Sequence, residues 1–174
     1  KRKVFTVFVL FMLFLTVSVT AMEEKKESWN QLGINELTLF ELAIIQGKIE
    51  KVKQFLAEGA DPNFIDRGGC NPLHLSTASG DKDILNLFIQ AGTNANVRDN
   101  RRWLPVMWAV SSSETDINFV KVILEKTQDL KPEDIAAIKE YHKLDKNNSN
   151  PEIQKFYRKT LAKLALLEQF LKKK

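Results

Sequence analysis

A chain of 174 residues, 44% hydrophobic and 28% charged, is long enough to bury one sizeable core, so a single folded unit is expected rather than several. The 26 Lys and Arg against 22 Asp and Glu give a formal charge of +4. Three of those bases open the chain, and the remainder is too near neutrality to suit a nucleic-acid binder. Cys70 is the one cysteine, which excludes an internal disulfide and leaves stability to packing.

The first segment reads as a leader. Lys1-Arg2-Lys3 precede VFTVFVLFMLFL, in which only Thr6 is polar, and Val19 and Ala21 stand where a cut after Ala21 needs small residues. A basic start, a 7–15-residue apolar run and a small-residue exit describe a secretory signal peptide over residues 1–21. The alternative is a retained anchor, with the membrane a partner only in that case. Val4 to Ala21 would make a helix of about 27 Å against a hydrocarbon core of about 30 Å, and Thr16, Ser18 and Thr20 weaken its last turn. No cysteine comes after the leader, against a lipoprotein, and an initiator Met is expected ahead of Lys1.

Residues 22–36 form a lead-in, charged at first (EEKKE) and then carrying Trp29, Leu32 and Ile34. It is expected to cap the first apolar face of a repeated array. Beyond it the chain repeats itself. Gly59-Ala60-Asp61-Pro62-Asn63 recurs as Gly92-Thr93-Asn94-Ala95-Asn96, and Gly47 recurs as Gly80, each 33 residues on. A period in this range marks stacked helical pairs, none able to bury its own apolar face without a neighbour. Three units result, at 37–66, 67–99 and 100–130. In the first, Thr38 and Glu41 fit a capping box, and Ile49, Val52, Phe55 and Leu56 recur at helical spacing. In the second, Asn71 before Pro72 is a good N-cap, and Ile84, Leu85, Leu87, Phe88 and Ile89 line the second helix. In the third, Leu104 before Pro105 offers no side-chain cap, Trp108 is expected in the core, and residues 111–116 carry an insertion.

After Leu124 the glycine turn is gone, and residues 131–174 read as a helical hairpin that caps the array. Pro132 opens one helix to about Leu144, with Ile135, Ile138 and Tyr141 inward. Pro151 opens a longer one, where Ile153, Phe156, Tyr157, Leu161, Leu164, Leu167 and Leu171 form an apolar stripe. Charge is uneven: residues 22–130 hold 12 bases against 16 acids, and 131–174 hold 11 against 6. The tail could therefore dock on the array or on an acidic surface, against the plainer reading of a solvated Lys-rich helix face, and the alternative to a cap is a helix offered to a partner.

The stretch NFIDRGGCNPLHLSTASG, from Asn63 to Gly80, resembles the hairpin, T-P-L-H-x-A helix start and inter-helix glycine of the ankyrin repeat. Asn71 stands at the Thr position, Pro72, Leu73 and His74 match, and Ser76 and Thr77 replace alanines. The first unit has Leu39 and Glu41 in place of Pro and His. The third keeps Pro105 and Ala109 but has Met107 at the His position and Arg102 where the family has glycine. Positive φ at a non-glycine residue costs about 1–2 kcal/mol, so that hairpin is expected to be strained or differently shaped. The resemblance covers about Leu37 to Leu130 and implies an all-α ankyrin-repeat solenoid of about three helix-turn-helix repeats with a C-terminal helical cap, a binding scaffold without catalysis of its own. It also implies that His74 ties neighbouring repeats together.

No catalytic constellation emerges from the residues. His74 and His142 have no His or Cys at ligand spacing, so no metal is expected. Gly68-Gly69 is a hairpin tip, not a phosphate loop, and Cys70 reads as a quiet structural thiol. Neither a cofactor nor a catalytic residue is assigned, and an enzyme would need a buried polar cluster around one of the histidines.

In the resembling family, partners lie against hairpin tips and the exposed residues of first helices. By position these are Arg67 and Gly68, then Arg98, Asn100, Arg101 and Arg102, with Ile45, Gln46, Ala78, Ser79, Ser111 and Ser112 on the helices. Trp and Arg dominate binding energy at interfaces, so Trp103 beside Arg101 and Arg102 is the sharpest signal. The counter-reading packs Trp103 across the hairpin base and leaves the arginines to solubility. The expectation is an exported protein-binding module, in the bacterial periplasm, a monomer or part of a heterocomplex, which neutralises or chaperones a secreted protein. The rival is a scaffold anchored by residues 4–21 and facing the periplasm or a lumen. Glycosylation of the sequon Asn147-Asn148-Ser149 would mark a eukaryotic source instead.

Overall fold

Eight α-helices succeed one another in a computed structural model that describes residues 38–143 and 145–173. They are α1 (Leu39–Ile45), α2 (Ile49–Ala57), α3 (Pro72–Ser79), α4 (Lys82–Gln90), α5 (Pro105–Ser111), α6 (Ile117–Lys126), α7 (Pro132–Tyr141) and α8 (Pro151–Lys172). The leader and the lead-in lie outside the described residues. Among the described residues no helix is long and apolar enough to cross a membrane.

The helices stack in two layers. α1, α3, α5 and α7 lie side by side in one layer, and α2, α4 and α6 return behind them. Gly47 and Gly80 occupy equivalent turns, with φ of +70° and +65°, where a left-handed residue closes each inner helix. Main-chain bonds of the Schellman type, Lys48 N–H to Ala43 O at 2.9 Å and Gly47 N–H to Ile44 O at 3.1 Å, satisfy the last carbonyls of α1. The shared seam contains Ile44, Leu73, Ile84, Phe88, Leu104, Phe119, Ile123, Ile138 and Leu167, all essentially without solvent contact. Each such side chain contributes about 1.5–3 kcal/mol on burial.

The inner helices begin alike although their sequences differ. The third helical residue turns back to accept the N–H of the cap residue: Glu41 Oε2 from Thr38, His74 Nδ1 from Asn71 at 3.1 Å, and Asp134 Oδ2 from Lys131 at 2.9 Å. In the third unit the Met107 sulfur takes this place, 3.4 Å from the Leu104 nitrogen. A thioether is a weak acceptor, so the unit expected to be uncapped is capped poorly rather than not at all. α7 fills the same position as the earlier inner helices and completes the inner layer as a fourth member.

The second helix of that last pair, α8, lies against α5, α6 and α7. Its attachment is polar as well as apolar. Lys163 is buried, and its ammonium donates to Ala109 O at 3.3 Å, Ser112 O at 2.7 Å and Thr115 Oγ1 at 3.0 Å. These groups lie at the C-terminus of α5, where free carbonyls and the helix dipole favour a cation. The tail therefore caps the array. Leu161 and Tyr141, expected to face inward, are instead 43% and 59% exposed. α8 buries the face carrying Thr160, Lys163, Leu164 and Leu167, which turns Leu161 outward.

Burial, with repulsion from Lys159 second, lowers the Lys163 pKa to about 8. The unfolded chain, with the ordinary lysine value, then binds more protons than the folded one between about pH 8 and 10.5. Stability from this group is thus smallest below pH 8 and rises across that window. The parent chain is expected to gain stability between pH 8 and 10 relative to Lys163→Met. Parallel slopes in denaturant titrations of the two would refute the burial argument.

Candidate functional site

The hairpins before α3 and α5 have the same main-chain pattern. Asp66 N–H bonds Cys70 O and Gly69 N–H bonds Asp66 O, at 2.9 and 3.0 Å, and Asp99 N–H to Trp103 O with Arg102 N–H to Asp99 O repeat this at 2.9 and 2.7 Å. Gly69 has φ +76° and Arg102 φ +66°. The third hairpin thus keeps the shape of the second and, of the two expected outcomes, shows strain rather than a different shape. Replacing Arg102 by glycine should raise stability by about 0.5–1 kcal/mol, the left-handed penalty less the extra freedom of an unfolded glycine. Urea unfolding tests this, and a less stable variant would contradict it.

One buried carboxylate organises the third hairpin. Asp99 is 5% exposed. Its Oδ1 accepts from the N–H groups of Arg101 (2.9 Å) and Trp103 (2.7 Å), and its Oδ2 accepts from the Trp108 indole at 2.9 Å. The Arg101 guanidinium lies 3.6 Å from Oδ2 and packs over both indoles, 5.3 Å from the Trp103 ring and 4.9 Å from that of Trp108. Tyr141 meets the Trp103 ring edge-on at 5.1 Å. A guanidinium held between two indole faces keeps its charge at the surface with little freedom left to lose on binding.

His74 links this hairpin to the previous repeat. Its Nε2–H donates to Trp103 O at 3.1 Å while Nδ1 accepts from Asn71 N–H. Burial holds the imidazole pKa below its ordinary value, against the Trp103 carbonyl and the nearby carboxylates that favour the charged ring. The Trp108 ring packs edge-on against it at 5.9 Å. Trp108, expected in the core, is half-buried and packs against the core's edge with its indole N–H on Asp99.

The structure therefore separates the predicted binding residues. Arg101, Arg102 and Trp103 stand together beside a cavity of about 270 Å³, with Met107, Lys131, Glu133 and Ala137 completing its lining. Arg98 lines it too but is committed inward. It makes a two-pronged pair with Asp134 at 2.8 and 3.0 Å and donates to Arg102 O and Asp129 O. It joins the third hairpin to α7. Arg67 is exposed at the neighbouring tip, where its carbonyl accepts from the Asn100 side chain at 2.9 Å.

Ile45, Gln46, Ala78, Ser79, Ser111 and Ser112 sit at the C-terminal ends of α1, α3 and α5, away from that cavity. Gln46 and Ala78 are exposed, while Ile45, Ser79, Ser111 and Ser112 are partly covered. Ser112 is drawn into the scaffold through its bond to Thr77 O at 3.0 Å. Sequence reading missed Asp99 and Lys163, whose roles depend on partners brought near by folding. It could have found Asp99 by its 33-residue offset from Asp66.

Cys70 is buried, and burial with the nearby Asp66 and Asp99 carboxylates pushes its thiol up to about 12. A protonated, covered thiol is unreactive. Among the described residues no cluster of His, Cys, Asp and Glu could hold a metal ion.

Comparison with known proteins agrees with this geometry. A family model for ankyrin repeats (three copies) matches residues 40–134. Over 84 residues the chain is 31% identical to the RelA-associated inhibitor of Mus musculus, a stretch covering 48% of this chain and 10% of that protein. Over 89 residues it is 33% identical to the putative ankyrin repeat protein YahD of Escherichia coli (strain K12), covering 51% of this chain and 43% of the relative. Over 53 residues it is 42% identical to the nuclear factor NF-kappa-B p105 subunit of Gallus gallus, covering 30% and 5%. The chain thus spans less than half the length of each of these relatives.

Proposed function

The chain belongs to the ankyrin-repeat family, and from that premise we propose that it acts by binding another protein through its third hairpin. The observation that carries this reading is the stack of Trp108, Arg101, Trp103 and Tyr141 fixed by Asp99. Here aromatic and arginine side chains, the types that dominate interface energetics, are held rigid and partly exposed. The scaffold supports binding rather than catalysis, since His74 is consumed by repeat-to-repeat bonds. Arg67, Gln46, Ala78 and Ser79 extend the surface towards the first repeats.

The test is capture of a partner by the mature chain in its native host, compared with the variant Arg101→Ala/Arg102→Gly/Trp103→Ala. The variant should lose the partner while its thermal midpoint stays within a few degrees. Undiminished capture would move the site elsewhere.

The leader pattern in residues 1–21 supports export, and with it a role in neutralising or chaperoning a secreted protein in the bacterial periplasm. N-terminal sequencing of the native protein tests this. A start at Met22 fits export, and retention of residues 4–21 favours the membrane-anchored scaffold.

A further inference from the structure

The fourth helical pair has no hairpin. Pro72 and Pro105 are 33 residues apart, but Pro132 lies only 27 beyond Pro105, so the chain passes from α6 to α7 through Thr127–Lys131 alone. The stack nevertheless stays in register at this point, because Asn96 Oδ1 accepts from Gln128 N–H (2.6 Å) and Asp129 N–H (3.0 Å). What is lost is the hairpin that would lie against the outer edge of the third one.

The second hairpin shows what that seat ordinarily holds. Its Gly68 carbonyl accepts from Asn100 N–H at 2.9 Å, and its Arg67 carbonyl accepts from Asn100 Nδ2 at 2.9 Å. The equivalent carbonyls of the third hairpin belong to Arg101 and Asn100, and among the described residues neither accepts a bond. Since both hairpins share one backbone shape, these two acceptors face the vacant seat. The cavity of about 270 Å³ lies beside it, with Trp103, Met107 and Ala137 as its apolar part and Arg101, Arg102, Lys131 and Glu133 around it.

We propose that this seat takes an extended acidic segment of a partner protein, whose main chain replaces the missing hairpin and whose single apolar side chain enters the cavity. The inference rests on the interaction-module reading above and specifies the partner's chemistry. The carbonyls ask for N–H donors from an extended strand or loop, the recognition mode of an open edge. The cavity is below the range typical of drug-sized ligands, so it suits one side chain. The charge is complementary to acid: with Asp134 matched by Arg98 and Asp99 by Arg101, Arg102 and Lys131 outweigh Glu133. Ala137 is the small residue that leaves the cavity open. Its register equivalents Ile44, Thr77 and Val110, each three residues beyond the group that caps its helix, are larger and fully buried.

The test selects random dodecapeptides displayed on phage against the full chain, then measures synthetic copies by fluorescence anisotropy. Enrichment of acidic residues around one apolar residue is expected. Ala137→Leu, which fills the cavity and touches no charge, should weaken binding by about tenfold or more. Lys131→Glu, on an exposed side chain, should weaken it several-fold and flatten its dependence on salt. Thermal melts of both variants report folding. Selected peptides lacking acids, or indifferent to both substitutions, would overturn the seat. If such peptides respond to Gln46 or Arg67 variants instead, the seat fails while the broader interaction reading stands. Failure to enrich any peptide also overturns the seat, and the capture experiment then decides the broader reading separately.

Discussion

Asp99→Ala is expected to destabilise the chain by about 3 kcal/mol. The carboxylate accepts from two main-chain N–H groups and the Trp108 indole. Its removal leaves donors in a covered site, each costing about 1–3 kcal/mol unless water reaches it. The equivalent Asp66 carboxylate accepts from Cys70 N–H at 2.7 Å, and Asp66→Ala should cost about 1 kcal/mol. Asp99→Asn is an intermediate case. Its oxygen can still accept from the main chain, but its amide nitrogen then confronts the indole N–H, donor against donor. Trp108 fluorescence should shift in Asp99→Asn while the overall fold survives. Against a typical domain stability of about 5–15 kcal/mol, the alanine variant is the more damaging by a margin that urea titration resolves. Equal costs at Asp66 and Asp99 would remove the carboxylate from the centre of the hairpin.

Gly80→Ala should be about as harmful, and Gly47→Ala should not. Both glycines have positive φ, so a side chain costs about 1–2 kcal/mol at either. Their surroundings differ. A Cβ at Gly47 would meet Ser79 Cβ at 3.7 Å, an ordinary contact, whereas at Gly80 it would collide with the main-chain carbonyl of Glu114. Glu114 belongs to the insertion at 111–116, which folds back over the preceding repeat. Moving it would disturb Ser112, which bonds Thr77 O through its hydroxyl and Lys163 through its carbonyl. Overpacking of this kind adds about 1–3 kcal/mol, so Gly80→Ala should cost about 3 kcal/mol and Gly47→Ala nearer 1. Two variants of equal stability would mean that the insertion yields freely.

The Gly80 substitution bears on the site as well. The inserted turn helps hold Lys163 in place, Lys163 holds α8, and α8 supports α7, whose first turn forms one wall of the cavity. A loss at Gly80 should therefore be transmitted to the cap rather than stay local. Arg102 has the opposite character. It carries backbone strain at an exposed tip, at the place where the second hairpin has Gly69.

Repeat architecture was legible because it is written locally. A 33-residue period, glycines at positions that require left-handed backbone, and a Pro after a capping residue each act within a few residues of themselves. So the three repeats and the equivalence of Gly47 and Gly80 could be read without coordinates, whereas at Arg102 the sequence left strain or a different hairpin shape, and the structure decided for strain. Trp103 with its arginines was also visible, because residue type alone marks it. Chain order could not show which charges are spent. Arg98 and Arg101 look alike in sequence, yet one is locked to Asp134, 36 positions away, and the other rests between two indoles. Nothing in residue order sets Lys163 apart from the other lysines of the tail, and only α8 lays it on the carbonyls of Ala109 and Ser112. Nor could the sequence show that removing one hairpin leaves two acceptors and a cavity beside each other. Those facts depend on distances between segments remote along the chain, and only packing sets such distances.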